Sequence, residues 1–126
     1  MYEDKYLFGE LINIEMDFYQ ATDILVSELL SYGVRDMQML ELRCSEILTL
    51  RHKLDLFLIL QNELGHYQIT SLISFWDSLF HEIKTLSEEK SRNTSWLSSQ
   101  FNNFKDQHNI VIKMLKEYYD GMPNKK

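Results

Sequence analysis

The chain has 126 residues, 44% of them hydrophobic and 13% aromatic, with four Gly and one Pro. This composition excludes a disordered segment and supplies too few turn-formers for an all-β sandwich or barrel. The net charge of −6 is uneven: residues 1–33 carry seven acids and one base, residues 34–67 five and four, and residues 68–126 seven and eight. Phosphate affinity needs clustered Lys and Arg, so nucleic acid is not an expected partner.

The opening residues are acidic and lack the basic start of a signal peptide, and no apolar run approaches the roughly 18 residues of a membrane span. A cytoplasmic protein with no membrane partner is the expectation. Cys44, the one cysteine, cannot form an internal disulfide, and its place on an apolar stripe reads as a packed thiol rather than a nucleophile.

In chain order, apolar residues recur at steps of three and four from Leu7 through Leu11, Ile14, Phe18, Ala21, Leu25 and Leu29, predicting an amphipathic helix over about 5–32. Tyr32-Gly33 ends it. Asp36 is a candidate N-cap, and the stripe restarts at Met37, Leu40, Cys44, Ile47, Leu50, Leu54 and Leu58, predicting a second helix over about 36–64 that closes at Gly65. The run 56–60, Leu-Phe-Leu-Ile-Leu, covers all sides of a helix, and core is its safer reading. The third stripe runs through Leu72, Trp76, Leu79, Ile83 and Leu86, then Leu97, Phe101, Phe104, His108, Val111, Leu115 and Tyr118. With neither Gly nor Pro in between, it predicts one long helix over about 69–119, followed by a tail at 120–126. The expected fold is all-α: an antiparallel bundle of two helices of about 28 residues and a third of about 50.

The lengths do not match, because at about 1.5 Å per residue the third helix is roughly 75 Å long against about 42 Å for the others. A bend within Ser91–Ser95, where Asn, Thr and Ser are weak helix formers, would close a four-helix bundle. The surviving phase and the missing capping-box acid after Thr94 or Ser95 favour a continuous helix instead. A continuous helix leaves Trp96, Leu97, Phe101, Phe104, Val111, Met114, Leu115 and Tyr118 overhanging as an apolar strip. Either a partner helix or a second copy of the chain must then cover that strip.

Catalytic signals are weak. His81-Glu82-Ile83-Lys84-Thr85 opens like a zinc-protease helix, but Thr85 stands where the second imidazole is needed. Glu63 and His66 have the Glu-x-x-His spacing of di-iron bundles in a single copy at a helix end, and His66 reads as a cation on a helix C-terminus. The Arg-to-His spacings of HEPN-type ribonucleases are absent. There is no Gly-rich phosphate loop and no Cys/His cluster, so no enzyme, cofactor or metal site is expected.

Trp76, Asn93, Trp96-Leu97, Gln100 and Phe101 together resemble the long-helix pattern of the FlgN-type flagellar export chaperones, with Arg43-Cys44 departing from the family's acid-Lys pair in the second helix. The resemblance covers about residues 72–115. It implies a non-enzymatic chaperone for flagellar or type III secretion that binds the amphipathic C-terminal segment of a secreted hook-associated protein, keeps it unassembled and delivers it to the export gate. A small acidic helical-bundle inhibitor or immunity protein, acting through the acidic face of residues 3–28, and a homodimeric structural module are the alternatives.

Overall fold

The computed structural model describes residues 4–33, 36–89 and 94–122. Four α-helices follow one another: α1 Asp4–Tyr32, α2 Met37–Leu60, α3 Tyr67–Glu89 and α4 Ser95–Gly121, with a 3-10 turn at Asn62–Leu64. Gly33 ends α1 as expected: its φ of 71° is a left-handed conformation that costs an L side chain energy. From there its N–H donates to the Leu29 carbonyl at 2.8 Å. The Asp36 carboxylate then caps α2, accepting from the Met39 N–H at 3.2 Å.

The single long third helix is corrected to two. α3 stops at Glu89 and α4 starts at Ser95, while Ser91, Arg92 and Asn93 lie outside the described residues. The physical reason is burial. Folding back lets Leu97, Phe104, Val111 and Leu115 pack with almost no exposure. Each such side chain is worth about 1.5–3 kcal/mol, against the few hydrogen bonds a break in the helix costs. The second helix is also shorter than expected, because α2 ends at Leu60 and Gly65 closes the 3-10 turn that follows.

Consecutive helices run antiparallel, and α4 returns beside α1. The register is fixed by contacts along the molecule: Phe8 meets Tyr118, and Tyr19 stacks on Phe101 and Phe104. Arg43 pairs with Glu28 at 3.1 Å, and the Gln107 amide donates to the Gln68 carbonyl at 2.8 Å. At Gly9 a Cβ would lie 3.2 Å from the Tyr119 ring, so the missing side chain lets α4 approach α1. The core has an aromatic centre. Phe18 packs edge-on against Phe104 and tilts against Trp76, whose indole N–H donates to the Thr22 hydroxyl at 3.1 Å.

The ring of four helices is not evenly closed. The backbones of α1 and α2, of α3 and α4, and of α1 and α4 lie side by side, whereas those of α2 and α3 approach far less closely. Among the described residues no helix is long and apolar enough to cross a membrane.

Candidate functional site

The residues expected to form a partner surface on the last helix are placed mainly in the core. Leu97, Phe101, Phe104, Val111 and Leu115 are buried, and Met114 is half-buried against them. Only Trp96, at 66% exposed, and Tyr118, at 45%, face outward. The overhang that motivated this surface does not exist in the folded chain, because α1 and α3 cover the α4 stripe.

Exposed apolar side chains are densest on α2. Its buried positions, Leu40, Ile47 and Leu54, follow one stripe toward α1. Yet Met37, Met39, Leu42, Leu48, Leu56, Ile59 and Leu60 on the same helix are exposed. A helix that is apolar all round is normally enclosed on several sides. Here α1 encloses one side, and the wide seam to α3 leaves the second open.

That seam is a groove with two connected parts. One, of about 610 Å³, is lined by Met37, Cys44, Leu48, Phe80 and Ile83, with Glu41, Lys84 and Glu88 at its edges. The other, of about 620 Å³, shares Leu48 and Phe80 and continues past Trp76 to Arg51, His52 and Asp77. Its floor is ordered by stacking of Phe80 on Trp76, with ring centroids 4.7 Å apart. Arg51 bridges the seam: its guanidinium donates to Asp77 at 3.0 Å and lies 5.4 Å from the centre of the Trp76 ring. The groove is therefore apolar along its length and charged at its rim, the pattern that receives an amphipathic helix. Cys44 in this wall is half-buried, and burial together with Glu41 pushes its thiol upward from the ordinary value, away from thiolate chemistry.

A second polar arrangement lies inside the bundle. Glu15 on α1 and His108 on α4 meet at 2.6 Å with both side chains buried. The Tyr19 ring stacks on the imidazole, with centroids 3.7 Å apart and planes 7° from parallel. Burial pushes the Glu15 carboxyl above its ordinary value, while the bond to His108 and its charge pull the other way. The other carboxylate oxygen, Oε1, is buried with no hydrogen-bond partner. The pair fixes the register of α1 on α4, and no groove reaches it among those described.

The motif residues fall apart spatially. His81 is exposed on α3, and His66 does not stand at a helix C-terminus. The 3-10 turn places His66 ahead of α3, where its Nδ1 accepts from the Gln68 N–H at 3.1 Å. Among the described residues no cluster of His, Cys, Asp and Glu has a metal-binding arrangement. Comparison of the chain with protein-family models, curated proteins and solved structures finds no match.

Proposed function

We propose that this chain is a non-enzymatic, protein-binding helical bundle of the export-chaperone kind. It takes up an amphipathic helical segment of a secreted hook-associated protein, keeps that segment from self-assembly and passes it to the export gate. The observation that carries the reading is the α2–α3 groove, where Met37, Leu48 and Phe80 form an apolar floor between charged rims. The binding face thereby moves from α4, as expected from sequence, to α2 and α3. A client helix in the groove would bury surface that α2 leaves bare and complete the enclosure its composition calls for.

The test is capture of the C-terminal segment of a secreted hook-associated protein by the purified chain, compared with Leu48→Asp. Leu48 is exposed, so this variant keeps its helicity. The reading expects binding that is lost in Leu48→Asp. Absence of binding, or binding indifferent to the substitution, sinks it.

The inhibitor or immunity reading retains one specific support, since it requires the break after α3 that closes the bundle. It places the interface on α1, where Asp17 and Glu28 are exposed. It therefore calls for binding that weakens steeply with salt and is unaffected at Leu48.

A further inference from the structure

α2 has a third, outward side, which borders the groove at Thr49 and the α1 contact at Met39. Met39, Leu42, Leu56 and Leu60 on it are all exposed, Leu60 to 75%. Between these two apolar ends stand Glu46, Thr49 and Lys53, also exposed. All seven positions follow steps of three and four, so they form one seam about 32 Å long at about 1.5 Å per residue. Neither Glu46 nor Lys53 has an ion-pair partner among the described residues.

The order along the seam is apolar, apolar, acid, Thr, base, apolar, apolar. It complements itself when reversed. A two-fold axis near Thr49 sets Met39 against Leu60, Leu42 against Leu56, and Glu46 against Lys53. A parallel copy would instead oppose Glu46 to Glu46 and Lys53 to Lys53, which costs energy. Self-complementarity under a two-fold is the requirement for an isologous interface, and the apolar ends supply the desolvation that exposed charges alone do not.

We propose that a second copy of this chain docks on this seam, α2 antiparallel to α2, with Glu46 of each copy paired to Lys53 of the other. The α2–α3 groove adjoins the seam at Thr49 and otherwise lies on the Met37, Cys44 and Leu48 side of α2, so the dimer carries two grooves. This proposal stands or falls separately from the function of the groove.

Sedimentation equilibrium on the full chain tests it, with circular dichroism as the check on folding. The wild type is a dimer. Glu46→Lys and Lys53→Glu each replace two attractive pairs with two repulsive ones and weaken self-association at least about tenfold. Both sites are exposed, so helicity is unchanged. An equimolar mixture of the two single variants pairs a wholly basic seam with a wholly acidic one, and it restores dimer as a heterodimer. A wild type that is monomeric at the highest soluble concentration overturns the proposal. So does a dimer whose affinity ignores both substitutions, or a mixture that fails to pair.

Discussion

Replacing His108 by Ala orphans Glu15, and the cost of that depends on pH in a definite direction. Glu15 is 1% exposed and His108 6%. Burial raises the carboxyl above its ordinary value of 4.5, and both influences of His108 lower it. A carboxyl whose folded-state value is raised contributes stability that is fully present below 4.5 and is lost as pH rises through the folded value. Removing His108 takes away the lowering influences, so the raised value moves further up and more stability is lost at neutral pH. The other carboxylates cancel in the difference between His108→Ala and wild type, which therefore reports the Glu15–His108 pair as a unit. At pH 8 the buried, unpaired carboxylate costs about 3–5 kcal/mol. At pH 4 Glu15 is protonated in the folded and largely in the unfolded chain. The remaining loss is then packing, including the Tyr19 stack, at about 1–2 kcal/mol. Urea unfolding of both proteins from pH 4 to 8 measures the difference. A destabilisation that does not grow with pH would refute the buried pair as described.

Four further variants test the packing and the turn at Gly33. Phe104→Ala should cost about 3–5 kcal/mol in chemical denaturation, because the ring is fully buried between Phe18 and Tyr19. Phe104→Asp should lower helicity outright, whereas a partner-facing ring would tolerate the change. Gly33→Ala should cost about 1–2 kcal/mol by urea titration, since φ of 71° disfavours a Cβ even where nothing crowds it. Trp76→Phe should cost about 1 kcal/mol by losing the bond to Thr22. It should also change the stacking of Phe80 on the groove floor.

Local chemistry made much of the fold legible. The stripe from Leu7 to Leu29, the left-handed turn at Gly33 and the cap at Asp36 are near-neighbour effects, and each is found where the pattern placed it. The break between α3 and α4 is not a near-neighbour effect. Thr94 precedes α4 without a side-chain cap bond, so what ends the helix is the long-range gain of packing α4 on α1. A phase that survives a break looks the same as one helix, because Trp76 and Phe104 meet the same partner, Phe18, from two different helices. The groove was hidden for a related reason. Apolar residues on every side of α2 show that it needs covering, but not which side its own chain covers. The Glu15–His108 pair left a trace: His108 falls on the α4 stripe, and Glu15 sits among the positions of α1 that turn inward with Leu11 and Phe18.

α4 folds back, which turns its apolar stripe into core and leaves bare apolar surface on α2. A distance between spin labels at Thr70→Cys and Asn109→Cys, in a Cys44→Ser background, tests this most directly. Both labelled positions are exposed. They lie beside Gln68 and Gln107, which hydrogen-bond at 2.8 Å. The folded-back chain therefore predicts a short distance, under about 25 Å with the label arms included. One continuous helix would separate the same positions by about 58 Å at about 1.5 Å per residue, and a distance in that range would contradict the account.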